Sequence, residues 1–268
     1  NYMREISNSG VRDDRMSFSI GDFYKMPIPY PSVSEQQKIA SFLSAFHKKI
    51  QQLNRKVDLL EQYKKGIMQQ LFSGELRFKD DYGKDFPKWE RKRIGEIFEC
   101  RNETGYNEME LLSVSINKGI YSQSNSNKID NSNKDKSKYK RVLIDDIAYN
   151  SMRMWQGASA VSKLEGIVSP AYTILKGNEQ NCSKYFGYFF KTEKMIQTFQ
   201  KHSQGLTSDT WNLKYAMIKK IKTFRPCLKE QQKIASFLSG IDGKIASVNG
   251  QLEKTQRFKK GLLQGMFV

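Results

Sequence analysis

The chain has 268 residues, 38% of them hydrophobic, which allows one or two domains with a real core and excludes wholesale disorder. Its 45 Lys and Arg outnumber 28 Asp and Glu for a formal +17, an excess that favours a polyanionic partner, because each neutralised phosphate releases condensed counterions. His47 and His202 are too few for a zinc cluster, Cys100, Cys182 and Cys227 form no Cys-x-x-Cys pair and read as reduced intracellular thiols, and no apolar run approaches the roughly 18 residues of a membrane span.

Residues 1–30 open in mid-pattern at "NYMREISNSG", without an initiator Met, and read as the tail of a domain whose body is missing. A first long helix is expected over 31–75. Pro31 lies just before it, Ser34 with Gln37 has capping-box spacing, and Ile39, Phe42, Phe46, Ile50, Leu53, Val57, Leu60, Tyr63, Ile67 and Leu71 step by three and four. At about 1.5 Å per residue, residues 34–72 make a rod of roughly 58 Å. A globular domain of mixed α and β type is expected over 76–225. Its β-like runs are "LLSVSI" (111–116), "RVLIDDIAYN" (141–150), "SAVSKL" (159–164) and "AYTIL" (171–175), and "CSKYFGYFFKTEKMIQTFQ" (182–200) reads as one helix. Residues 119–140 form a loop rich in Ser, Asn and Lys. A second long helix follows over 226–268, with Ile234, Phe237, Ile241, Ile245, Val248, Leu252, Phe258, Leu262 and Met266 on its apolar stripe.

The two helices are copies. "EQQKIASFLS" occurs at 35–44 and again at 230–239, and 18 of the 38 pairs from 35/230 to 72/267 are identical without a gap. The similarity continues upstream, where "SGVRDDRMSF" (9–18) lies over "QGLTSDTWNL" (204–213), sharing Gly10/Gly205 and Asp14/Asp209, and Pro31 matches Pro226. A module has been duplicated. One amphipathic rod cannot bury its stripe alone, so the two are expected to pair lengthwise through Ile39, Phe42, Phe46, Ile50, Leu53, Val57 and Leu60 against Ile234, Phe237, Ile241, Ile245, Val248, Leu252 and Phe258.

Domain, long helix, domain, long helix, with the helices alike and the domains divergent, resembles the specificity subunit of type I restriction-modification enzymes, across the whole chain. "YPSVSEQQKIASFLS" and "RPCLKEQQKIASFLS" are similar to that family's helix openings, and "PKWERKRIGEIF" (87–98) to the entry of its target recognition domain. "GIVSPAYTIL" (166–175) and "SQGLTSDTWNL" (203–213) are similar to that domain's closing strands and final turn. At the N-terminus most of a first recognition domain is absent. The resemblance implies an α+β fold, with one target recognition domain (76–225) flanked by helices (31–75 and 226–268) that pair as an antiparallel coiled coil, and with 1–30 as the remnant of the first domain. It further implies a bacterial or archaeal cytoplasm and sequence-specific binding of double-stranded DNA at one half of a bipartite site. Its implied partners are two methyltransferase subunits and restriction subunits that translocate and cut; separately, the short first domain leaves pairing with a second copy of this truncated chain open. S-adenosylmethionine, ATP and Mg²⁺ are then used by the partner subunits, and this chain binds no cofactor.

Catalytic signatures are missing. There is no Gly-x-x-x-x-Gly-Lys-Ser/Thr loop, no Gly-x-Gly-x-x-Gly fingerprint and no Asn-Pro-Pro-Tyr-like signature. Asp85 with Glu90 and Lys92 imitates a nuclease triplet, which a chain this charged produces by chance, and His202 beside Ser203 has no carboxylate placed to orient it. The chain is therefore read as a binding subunit, not an enzyme. A self-sufficient nuclease with a coiled-coil spacer is the alternative, and a scaffold that binds no DNA is a third.

Two kinds of DNA contact are expected. Lys128, Lys134, Lys136, Lys138, Lys140 and Arg141, interleaved with Asn and Ser, suit a basic loop draped along phosphates, as do Arg91 and Arg93; the alternative is a solvated surface. In "YNSMRMWQG" (149–157), Arg153 suits guanine, Asn150 and Gln156 suit adenine and Ser151 either role, while Met152 and Met154 turn inward. For Arg153 the alternative is a structural ion pair. Thr207, Ser208, Thr210 and Asn212 complete the base-reading candidates. Asp209 matches Asp14 across the copies and reads as a turn or cap residue, since readers of different half-sites must differ.

Overall fold

Two long helices and a set of short antiparallel strands make up the computed structural model, which describes residues 8–9, 16–17, 19–25, 27, 30–116, 119–125, 133–207 and 210–266. In chain order the elements begin with β1 (Asn8–Ser9), β2 (Met16–Ser17), α1 (Ile20–Tyr24) and α2 (Val33–Ser73). There follow β3 (Glu90–Arg93), α3 (Ile94–Ile97), β4 (Glu99–Arg101), β5 (Leu112–Ser115), β6 (Gly119–Ser122), β7 (Lys140–Val142), β8 (Ile147–Asn150), β9 (Ser159–Val161), β10 (Gly166–Val168) and β11 (Tyr172–Lys176). The chain closes with α4 (Ser183–Phe189), α5 (Glu193–His202), α6 (Tyr215–Ile218), β12 (Lys222–Arg225) and α7 (Leu228–Met266). The fold is α+β. It divides into two compact units, residues 56–250 and residues 1–55 with 251–268.

In the unit 56–250, β4, β11, β8 and β9 form an antiparallel sheet in that order. The two-residue period of a strand sends alternate side chains to opposite faces. Ile147, Tyr149 and Leu175 accordingly enter a core shared with α2, α3, α4, α5 and α7, while Ala148, Ala160 and Ile174 enter a second core with Leu112, Val114, Val142 and Val168. The pairing of β3 with β12, Lys222 opposite Arg93 and Phe224 opposite Arg91, ties the entry of the domain to its exit. Gly95 just beyond β3 has no room for a side chain, since a Cβ there would lie 2.7 Å from Lys219 Cβ and 3.1 Å from the Lys219 carbonyl. Gly95→Ala is expected to cost about 1–3 kcal/mol, seen as a lower midpoint of urea unfolding.

The helices pair antiparallel within this unit. Lys64 Nζ lies 2.6 Å from Asp242 Oδ1, Arg77 beyond the end of α2 reaches Glu230 near the start of α7, and Ile67, Leu71, Ile234, Leu238, Ile241 and Ile245 share the first core. Lys64 also lies over the Tyr188 ring, whose phenol burial pushes up to about 12. Tyr63, expected on the apolar stripe, is 52% exposed; Lys64 turns toward the other helix instead, held by the Asp242 charge. In the unit of 1–55 with 251–268, Leu53 is buried and Phe46 packs on Phe258 with ring centroids 5.5 Å apart. Phe42, 45% exposed, leaves the seam to Leu43 and leans against Phe46 from the side. Ile39, Leu43, Phe46, Ile50 and Leu53 then alternate steps of four and three, the 3.5-residue repeat of a coiled coil.

The repeated helix openings carry the same cap, each in its own unit. Gln36 Nε2 donates to the Pro31 carbonyl at 2.9 Å, and Gln231 Nε2 to the Pro226 carbonyl at 2.7 Å. At the first opening the hydroxyl that accepts a backbone N–H belongs to Ser32, from Glu35, so the cap lies two residues before the expected Ser34. Two other expectations change. The run 141–150 is two strands in different sheets, separated by a turn with Asp145 at φ +66°. Its hinge is Asp146, whose carboxylate accepts the Leu143 N–H and the buried Arg101 guanidinium. The helix 182–200 breaks into α4 and α5 because Thr192 turns to extended backbone (ψ 146°), which lets Phe190 and Phe199 meet at 5.5 Å in the core.

Candidate nucleic-acid interface

Two loops of the unit 56–250, distant in sequence, are joined edge to edge. The first leaves β8 and returns as β9. Asn150 Oδ1 accepts the Met152 N–H at 3.0 Å, a single 3₁₀ turn covers Met154–Gln156, and Gly157 at φ +82° reverses the chain. Met154 is the plug that anchors this loop, fully buried, and Trp155 Nε1 donates to the Met152 carbonyl. Arg153 and Gln156 project outward, with Arg153 Nη1 3.5 Å from Gln156 Oε1.

The second loop follows α5. Ser203 Oγ closes the helix on the Phe199 carbonyl, and an antiparallel bridge joins Gln204 to Asn212. Inside that bridge the Thr210 hydroxyl donates to the Thr207 carbonyl at 2.9 Å. Gly205 has φ +151°, and a Cβ there would fall 2.6 Å from the Thr210 carbonyl oxygen. Three contacts bind this loop to the first. Leu213 N–H donates to the Ser151 carbonyl at 2.8 Å, Tyr149 Oη donates to the Leu213 carbonyl at 3.0 Å, and the Trp155 and Trp211 rings meet edge to face at 5.2 Å. Burial pushes the Tyr149 phenol up, so it remains a hydrogen-bond donor at neutral pH. The result is one rigid edge presenting a guanidinium, an amide and two threonines.

Of the base-reading candidates, Arg153 and Gln156 on the first loop and Thr207 and Thr210 on the second, joined loop are all exposed. Ser151 is 6% exposed and gives its hydroxyl to the Ala171 carbonyl, so it is a structural residue and not a reader. Asn150 spends its oxygen on the turn, and Asn212 has its Oδ1 buried without a partner at the base of the loop. Met152 is 44% exposed and does not join the core, because it lies in the turn between β8 and the 3₁₀ turn, where side chains do not alternate as in a strand. Ser208 and Asp209 lie outside the described residues.

Among the phosphate candidates, Lys134 and Lys138 are exposed and Lys136 half-buried. Lys140 and Arg141 differ. Lys140 Nζ donates to the Tyr172 carbonyl at 2.8 Å, while Arg141 pairs with Glu103 at 3.2 Å and lies 4.7 Å over the Tyr106 ring. They hold β7 to its neighbours, since β7 is short and needs side-chain anchors. Lys128 lies outside the described residues. Arg91 and Arg93 are exposed on the β3–β12 ribbon, where Lys222, Lys219 and Lys220 join them. Those three lysines were missed although "IKKIK" (218–222) is a basic run; its isoleucines, both buried, read as core and hid the charges between them.

Nearby ionic groups are committed to the fold. Burial opposes the Arg101 charge, yet its bonds to Asp146 and Glu103 hold its pKa above the ordinary arginine value. Glu90 pairs with Arg225 at 3.0 Å, and His202 Nδ1 lies 2.8 Å from the Thr198 carbonyl. Among the described residues no three His, Cys, Asp or Glu are grouped to hold a metal, and no helix is long and apolar enough to cross a membrane.

The family model described as the type I restriction modification DNA specificity domain matches residues 4–62 and 87–257. The specificity subunit of the type I restriction enzyme MjaIX of Methanocaldococcus jannaschii is 31% identical over 114 residues, covering 40% of this chain and 25% of the relative. The putative MjaX specificity subunit of the same organism is 24% identical over 227 residues, 75% of this chain and 50% of the relative. The chain thus spans between a quarter and a half of the length of these curated relatives. Among solved structures, the HsdS subunit from Thermoanaerobacter tengcongensis superposes with a TM-score of 0.53 at 15% identity, covering 99% of this chain and 67% of the other. The type I restriction-modification S subunit from M. genitalium gives 0.55 at 14% identity, covering 98% and 68%.

Proposed function

Because the chain belongs to the family of type I restriction modification DNA specificity domains, we propose that it binds double-stranded DNA in a sequence-specific way and reads one half of a bipartite site. The observation that carries this is the edge made by the two joined loops, where Arg153, Gln156, Thr207 and Thr210 stand exposed on a platform locked by Trp155, Trp211 and Tyr149. Arg has the planar fork that matches guanine O6 and N7, and Gln the amide that matches adenine, but only if their backbone does not move. The net charge of +17 supplies the sequence-independent attraction. In this reading the paired helices are a spacer that holds the reader at a set distance from a second one. Their repeated faces suit two identical methyltransferase subunits, through which restriction subunits are directed to the site, and a second copy of the chain is a further partner. The chain holds no cofactor; S-adenosylmethionine, ATP and Mg²⁺ are used by the partner subunits.

The test is selection of bound duplexes from a random pool with the pure chain, followed by the same selection with two variants. Arg153→Ala should lose about 1–3 kcal/mol of discrimination at particular base pairs. Lys138→Ala should weaken all duplexes nearly equally. An equal loss on every sequence for Arg153→Ala would remove it as a reader. Cutting of plasmid by the pure chain with Mg²⁺ would overturn the non-catalytic assignment.

A further inference from the structure

Leu206 is the most exposed large apolar residue among those described, at 101% of its reference area. A lone surface leucine needs no explanation by itself. This one follows directly on Gly205 in the second loop, whose backbone only glycine can adopt against the Thr210 carbonyl. The loop is closed behind it by the Gln204–Asn212 bridge and seated on the Trp155–Trp211 pair, so Leu206 is exposed above a fixed base.

The internal repeat supplies the second observation. Aligning 9–18 on 204–213 places Gly10 on Gly205 and Val11 on Leu206, a glycine and then an apolar residue in both copies. The neighbours diverge: Arg12 stands against Thr207, Asp13 against Ser208 and Arg15 against Thr210. In the unit that holds the first copy, the segment is also flanked by an antiparallel pair, Asn8 with Ser17 and Ser9 with Met16, one residue out of register with the Gln204–Asn212 bridge. Residues that read different half-sites must differ between copies. A position that stays apolar in both does something common to both halves and independent of base identity.

We propose that Leu206 is a wedge that inserts between adjacent base pairs of the bound duplex, partly unstacking one step beside the bases read by Arg153 and Gln156. This rests on the DNA reading above. The Leu213–Ser151 and Tyr149–Leu213 bonds make the two loops one body, so an approach that brings the Arg153 fork to a groove also brings Leu206 to the stack. Apolar side chains set between base steps are a general device for bending duplexes, sequence-tolerant because every step has apolar faces. A docking site for a protein partner is disfavoured by size. Protein interfaces bury about 800 Å² on each side, and Leu206 is flanked in the chain by Gly205 and polar Thr207, with Gln204, Thr207 and Thr210 also exposed on this loop.

The experiment uses the whole chain, first with duplexes recovered by the selection above and then with the same duplexes carrying one mismatched pair moved stepwise along the site. Wild type is expected to bind more tightly when the mismatch, already poorly stacked, falls at the wedge step. Leu206→Ala should bind perfect duplex about tenfold more weakly, the loss of a leucine's buried area, with an unchanged melting temperature. It should also lose the mismatch preference, and Leu206→Phe should restore both. Unchanged affinity of Leu206→Ala overturns the proposal. So does a loss confined to one base-pair identity, which marks a direct contact with a thymine methyl, or a loss seen only with methyltransferase subunits present, which marks a protein contact. A wild-type chain that binds no duplex sinks the DNA reading itself, a failure visible before any Leu206 variant is measured.

Discussion

Glu230→Ala is expected to destabilise the unit 56–250 by about 1–3 kcal/mol, the cost of leaving the partly exposed Arg77 guanidinium and the Trp89 indole N–H without their acceptor. The carboxylate is fully buried at the first turn of α7. It accepts from Arg77 Nε at 2.9 Å, Arg77 Nη2 at 2.8 Å and Trp89 Nε1 at 2.9 Å. The hydrogen bond to Glu230 is the main reason the Arg77 pKa is raised. Without that oxygen pair, the guanidinium keeps only the Phe86 and Pro87 carbonyls, and the indole N–H has no acceptor. Glu230→Gln keeps the volume and one acceptor and should fall between wild type and Ala. The internal control is Glu35→Ala at the equivalent, exposed position, which should change the unfolding free energy read from urea melts by no more than about 0.5 kcal/mol. Equal effects for the two glutamates would show that burial, not the repeat, had been misjudged.

Duplex affinity should collapse with salt. If six to ten phosphates are engaged, the dissociation constant is expected to rise about 10³- to 10⁵-fold between 50 and 200 mM monovalent salt. Fluorescence anisotropy across a salt series reads the slope directly. Lys134, Lys138, Arg91, Arg93, Lys219, Lys220 and Lys222 are exposed and are the positions to substitute, and each true phosphate contact removed should reduce the slope by about 0.9. Lys140→Ala and Arg141→Ala should behave differently. Their charges are tied to the Tyr172 carbonyl and to Glu103, so these changes should lower thermal stability and leave the slope nearly intact. A flat salt response of the wild type would mean that the charge has another purpose.

The long helices were legible because their signal is local and written twice. An apolar residue every three or four positions over some forty residues has no other economical reading, and the repeat placed the second copy at once. The phase within the stripe was less legible. Phe42 and Leu43, or Tyr63 and Lys64, are adjacent, and which of each pair enters the seam depends on what the facing helix offers, Asp242 in the second case. Arg153 and Gln156 were legible as polar base-reading candidates, but the 3₁₀ turn that carries them was not, since the letters suggest a strand-like alternation with Met152 and Met154 inward. Ser151 was not separable from those candidates, because its burial depends on the Ala171 carbonyl twenty residues away.

Periodicity and duplication, read from the letters alone, determined the helices and their pairing, and the charge set the expectation of a polyanionic partner. The three-dimensional structure decided which polar groups are free to act. The decamer "EQQKIASFLS" makes the division plain, since Glu35 is exposed and Glu230 is sealed by Arg77 and Trp89 although their local sequences are identical. Local sequence sets backbone preference, which both copies share down to the Gln–Pro cap. Burial is set by whatever the rest of the chain packs alongside, and no ten residues can carry that information.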